Sequence, residues 1–113
     1  MTTDMTQQEV APGKVLITLT GKIMMGAGGG QIVETVDELM KQGVRIVVFD
    51  MSGVTALDST GVGYFIVSFN KLAAAGGEMR MAGATGHVFQ TFHVSLLDTI
   101  FPFFGNAEEA AAV

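Results

Sequence analysis

Residues 44–82 constrain the fold more than any other part of the chain. Residues 44–49 are apolar except for Arg45, which reads as a buried strand. Over residues 59–75, Val62, Phe65, Ile66, Phe69, Leu72 and Ala73 recur at helical spacing, and Gly76-Gly77 stops the pattern. Residues 78–82 read as a strand again. A strand, a helix and a strand in so short a span predict a parallel pair joined by a right-handed crossover.

The flanking segments continue this order. Residues 5–10 suit a short edge strand. Ala11-Pro12-Gly13-Lys14 matches a type II turn, with Pro second and Gly third. Residues 15–20 form the other arm of an antiparallel hairpin. An irregular connection with five glycines spans residues 21–30. In residues 31–42, Ile32, Val33, Val36, Leu39 and Met40 make one apolar stripe, with Glu34, Asp37, Glu38 and Lys41 outside it. Gly43 is placed to end that helix in the left-handed region. Residues 86–94 carry a short helix, residues 99–101 a short strand ended by Pro102, and Asn106 caps a last helix. The expectation is an α/β fold. It is one domain over residues 5–113 after a disordered start at 1–4, with a mixed sheet of four to five strands and about four helices.

Composition narrows the function. Among 113 residues there are 6 basic and 11 acidic ones, giving a net charge of −5 with no Lys/Arg cluster, so nucleic-acid binding is not expected. With 0 Cys, thiol chemistry and cysteine-held metals are excluded. No run of about 18 apolar residues exists, so no membrane insertion is expected. No charged-then-apolar leader opens the chain, and a cytoplasmic location follows as an expectation. His87 and His93 lack the same-face spacing of a helical metal pair. Only 15% of residues are charged and the mean hydropathy is +0.46. That much apolar character serves either a partner surface or a well-filled core with an Ala-rich tail.

The chemistry concentrates between strand and helix, in Asp58-Ser59-Thr60-Gly61-Val62-Gly63. A hydroxyl at a helix N-terminus is well placed to carry a phosphate, because free amides and the positive dipole end favour an anion there. Established phosphate motifs do not fit. No Gly-x-x-x-x-Gly-Lys-Ser/Thr occurs, and Ile66 stands where a dinucleotide fingerprint needs its third glycine. A nucleophile elbow needs glycine where Leu57 sits, which leaves a small serine hydrolase using Ser59 as a minor alternative. Helix capping by Asp58 or Ser59 accounts for part of the motif. It does not call for two consecutive hydroxyls and glycines on both sides of Val62. Small residues there would let another protein approach the backbone.

Taken together these segments resemble the STAS domain, the anti-sigma-factor-antagonist family. Val47-Val48-Phe49-Asp50 resembles the family strand, and residues 58–63 match its loop Asp-Ser-Ser/Thr-Gly-x-Gly. Residues 73–81 resemble its Gly-Gly-Glu stop and next strand, and residues 86–112 its Phe-rich strand and acidic, Ala-containing final helix. The resemblance implies a non-catalytic switch. Such a protein binds an anti-sigma factor with serine kinase activity, frees a sigma factor, and is turned off by phosphorylation at Ser59. A phosphatase reverses the modification, and no cofactor of its own is implied. The implied partner contact comprises Asp58, Ser59, Thr60, Gly61 and Gly63, with Met24 and Met25 as an adaptable flank or core-edge filler. One position departs from the pattern. Kinase substrates of the family commonly have Gly-x-Leu-Asp after the early strand, whereas Gly21-Lys22-Ile23-Met24 puts Met24 at the acid. A STAS subunit of a membrane transport or lipid-trafficking complex, without the phospho-switch, is therefore the alternative.

Overall fold

The computed structural model describes residues 4–25 and 29–112. Its elements run β1 (Asp4–Ala11), β2 (Lys14–Ile23), α1 (Gln31–Lys41), β3 (Ile46–Leu57), α2 (Ser59–Ala74), β4 (Glu78–Ala82), α3 (Gly86–Val94), β5 (Phe103–Phe104) and α4 (Ala107–Ala112). A 3-10 turn, Leu97–Thr99, separates α3 from β5. The five strands lie in sequence order in one sheet. β1 is antiparallel to β2, and all later neighbours are parallel. This is the α/β arrangement that the alternating segments predict.

Glycine places the corners. Gly13 has φ +74 at the hairpin tip, where Pro12-Gly13 forms the turn, and its carbonyl receives the amides of Arg45 and Ile46. Gly43 and Gly76 follow α1 and α2 in the left-handed region. The Val44 amide returns to Leu39 O and the Gly77 amide to Leu72 O, so both helices end in a Schellman motif.

The helices α1, α2 and α3 cover one face of the sheet. Ile32, Val36 and Leu39 from α1, Val62, Phe65 and Leu72 from α2, and Val88 and Phe92 from α3 pack on Ile17, Leu19, Val47, Phe49 and Met81. Edge-to-face rings join Phe49, Phe65, Phe92 and Phe103 through this core. The other face carries α4 over Val48 and Ala82. Two cations hold that helix: Arg80 Nη1 donates to Ala110 O at 2.9 Å and Lys14 Nζ to Ala111 O at 2.7 Å. Asn106 caps its start, accepting the Glu109 amide at 2.9 Å.

Several boundaries differ from the sequence reading. Residues 50–57 continue β3 instead of turning, and β2 runs on to Ile23. The polar residues and glycine of 50–57 have turn composition, yet they keep pairing with β2 as far as Leu57, while Asp50 takes the Ser52 amide and hydroxyl onto one carboxylate oxygen. β5 lies at Phe103–Phe104, after Pro102 and not before it, because residues 97–99 coil into the 3-10 turn. Asp4 belongs to β1, and the remainder of the predicted disordered start, 1–3, lies outside the described residues, as does the glycine-run segment 26–28. Ile66, read as part of the buried stripe, is exposed, while Phe65 and Leu72 are fully buried.

Candidate functional site

The motif residues meet where β3 ends against α2. Asp58 is the N-cap, extended at φ −113 and ψ −177. Its Oδ1 accepts the Gly61 amide at 2.8 Å, and its Oδ2 accepts the Met25 amide at 3.2 Å. One carboxylate thus ties the helix start to the loop after β2. The Gly61 amide, and after it the Met25 amide, hold the Asp58 carboxyl below the usual aspartate range, with burial opposing. Asp58 therefore stays ionised and its oxygens are occupied by backbone donors.

Ser59 is the first residue of α2 and is exposed; Thr60 beside it is half-buried. The two glycines differ in what they do. A β-carbon at Gly61 would collide with the Ile23 carbonyl oxygen, so this buried glycine lets α2 approach the end of β2. A β-carbon at Gly63 would meet nothing within 4 Å. Nothing among the described residues uses the missing side chain of Gly63, although glycine inside a helix costs roughly 0.5–1 kcal/mol. Met24 is half-buried and Met25 is 76% exposed. The structure thus gathers Met25, Asp58, Ser59, Thr60, Gly61 and Gly63 at one corner.

The corner opens into a groove that no sequence motif announces. It has a volume of about 410 Å³ between α2 and α3, lined by Ser59, Val62, Ile66, Thr91, Val94, Ser95 and Leu97. None of these side chains is charged. Within the groove Val94 is 71% exposed, and outside its lining Leu96 is 64% and Ile100 54% exposed. Leu96 sits in the left-handed region at φ 59, which costs a non-glycine residue roughly 1–2 kcal/mol. Thr99 Oγ1 donates to Leu96 O at 2.6 Å, and His93 Nδ1 lies 2.8 Å from Asp98 Oδ2, so the turn is tied on both sides. A groove of similar volume between β1 and α1 is lined by Gln7, Glu34, Thr35, Glu38 and Gln42 and lies away from the serine. No group of three or more His, Cys, Asp or Glu suited to a metal occurs among the described residues. No helix among them is long and apolar enough to cross a membrane.

The family model described as the STAS domain matches residues 5–110. The chain belongs to the STAS domain family. Solved STAS-like structures share the fold at low identity. An anti-sigma factor antagonist from Mycobacterium paratuberculosis is 20% identical with a TM-score of 0.84, over 98% of this chain and 92% of that one. The Bacillus cell fate determinant SpoIIAA in its phosphorylated form is 22% identical with a TM-score of 0.77, over 96% and 97%. A sulfate transporter family protein from Wolinella succinogenes is 14% identical with a TM-score of 0.78, over 93% and 87%. A search of proteins with curated functions finds no significant match.

Proposed function

We propose that this STAS domain is a non-catalytic protein-binding switch, an anti-sigma-factor antagonist in the cytoplasm whose phosphoacceptor is Ser59. Its partners are an anti-sigma factor with serine kinase activity, and a phosphatase. The observation that carries the reading is the exposed Ser59 hydroxyl at the first position of α2, on the rim of an uncharged groove. Asp58, Thr60 and Gly61 shape the loop; Ser59, Gly63, Met24 and Met25 meet the partner.

The physics of the switch is local. A phosphate brings about −1.5 to −2 charges at neutral pH. On Ser59 it stands next to the Asp58 carboxylate, which repels it, and at the helix start, which stabilises it. The domain stays folded. A partner packed closely on the corner is expelled by charge and bulk.

Incubation with cell extract and ATP, followed by intact mass measurement, tests this directly. One added phosphate is expected on the native chain and none on Ser59→Ala. Ser59→Asp should keep the far-ultraviolet circular dichroism spectrum and lose kinase binding. An unfolded Ser59→Asp, or phosphate elsewhere, contradicts the account.

A second reading has one observation in its favour. Met24 occupies the position where kinase substrates of the family commonly carry an acid. A STAS subunit of a membrane transport or lipid-trafficking complex needs no such acid. Co-purification with a transporter ATPase, together with no phosphate on Ser59, would select it.

A further inference from the structure

The two edges of the sheet are finished differently. β5 closes one side with two residues, Phe103–Phe104. β1 ends the other side with eight, Asp4–Ala11, and β2 is its one strand neighbour among the described residues. A row of β1 amides and carbonyls therefore faces outward. Such edges are commonly blunted by lysine, by proline or by a covering element. β1 contains no lysine and no proline, and its register with β2 breaks only between Glu9 and Ala11, at its end. Thr6, Gln7, Gln8 and Glu9 are all exposed.

The groove of about 410 Å³ beside this edge has Gln7 on the strand side and Glu34 and Glu38 on the α1 side. Met5 packs toward the core, so alternation along the strand puts Gln7 and Glu9 on the same, α1-facing side. The groove lining holds two carboxylates and no cation. Glu34 and Glu38 are exposed and one turn apart, a like-charge spacing that weakens a helix. Among the described residues neither joins an ion pair, whereas Asp37 between them is held by Lys71 at 3.2 Å. We infer that the β1 edge takes an extended, basic segment of another protein as an added strand, with Lys or Arg at alternate positions reaching Glu34 and Glu38.

The spacings agree. An added strand lies about 4.8 Å from β1, and its alternate side chains, about 6.8 Å apart, point to one face. Residues four apart on a helix have β-carbons about 5–6 Å apart, so two successive inward cations meet two successive glutamates. Main-chain hydrogen bonds supply the attachment and the acids supply the choice of partner. A second copy of this chain, of net charge −5, would bring its own Asp4 and Glu9 to the same edge. Nucleic acid and anionic membrane are repelled for the same reason. The edge lies away from Ser59, so the inference stands whether or not that serine is phosphorylated.

The probe is a capped peptide as long as β1 that alternates arginine and valine, titrated into the native chain at low salt and followed by amide chemical shifts. Saturable shifts are expected over residues 4–9 and at Glu34 and Glu38, fading as salt is raised. Glu34→Gln combined with Glu38→Gln should weaken binding about two- to thirtyfold with an unchanged circular dichroism spectrum. N-methylation of one alternate set of peptide amides should abolish binding, and N-methylation of the other set should leave it intact, because a strand offers one edge to β1. Absence of binding overturns the inference, as does equal binding of a peptide with glutamate in place of arginine. Equal sensitivity to both methylated sets, or to neither, means loose charge attraction and no added strand. Shifts confined to Ser59 and α3, dimerisation of the native chain through β1, or tighter binding to anionic vesicles than to the peptide each overturn it too. Phosphorylation of Ser59 enters none of these measurements, so failure here and failure of the switch are told apart.

Discussion

α1 and α2 lie side by side on one face of the sheet, yet their outer surfaces are opposites. Outside the buried Ile32, Val36 and Leu39, α1 presents Glu34, Asp37, Glu38 and Lys41. Outside the buried Val62, Phe65 and Leu72, α2 presents Ile66, Val67 and Asn70. The first pattern needs only this domain and water to be stable. The second leaves apolar surface exposed next to the serine, and α3 repeats it with Val94. A helix with one apolar stripe reports how it folds; a helix that also carries apolar residues on its outer face leaves surface that a partner can cover.

The comparison breaks if the outer residues of α2 turn out to hold the domain together. Phe65→Ala should cost about 3–5 kcal/mol in urea unfolding, because its ring is fully buried between Phe49 and Phe92. Ile66→Ala, one residue along, should change stability by less than about 1 kcal/mol. Equal losses would mean that α2 has no free face.

The two glycines of the motif give a smaller contrast. Gly61→Ala should destabilise by roughly 1–3 kcal/mol, since its β-carbon meets the Ile23 carbonyl and the helix must shift. Gly63→Ala meets open space and should stabilise the helix slightly. A stable Gly61→Ala would show that the close approach of α2 to β2 is not needed.

The smallest effect sharpens the role of Asp58. Its carboxyl is held below the ordinary value of 3.8 by the Gly61 and Met25 amides. A lowered pKa in the folded state adds stability that is present above the unfolded value and is lost as pH falls through the folded one. Asp58→Asn keeps a capping oxygen but loses the charge. Its melting temperature should lie below that of the native chain at neutral pH, and the gap should close as the pH falls below the unfolded aspartate value and through the lowered folded one. A gap that is constant with pH would remove the carboxylate from the account.

Much of the fold could be read in advance because its signals are local. The Pro12-Gly13 turn, the Gly43 and Gly76 stops, the stripe of α1 and the Asn106 cap each depend on a few neighbouring residues. The errors arose where distant residues decide. Gly53 looks like a turn residue, yet it lies within β3 beside Thr20 of β2, and the position suits glycine because a β-carbon there would press on Thr20. Ile66 joins any helical stripe drawn on α2, because apolar residues surround that helix and periodicity cannot choose a side.

The amino-acid order alone determined the alternation of strands and helices and the Asp58-Ser59-Thr60 corner, since propensity, capping and turn chemistry act within a few residues. Only the folded chain decided that Asp58 also binds the Met25 amide, that Gly61 packs inward while Gly63 does not, and that α3 lines a groove opening at Ser59. Those outcomes depend on which backbones come within reach of each other, and contacts between residues some thirty positions apart have no local signature.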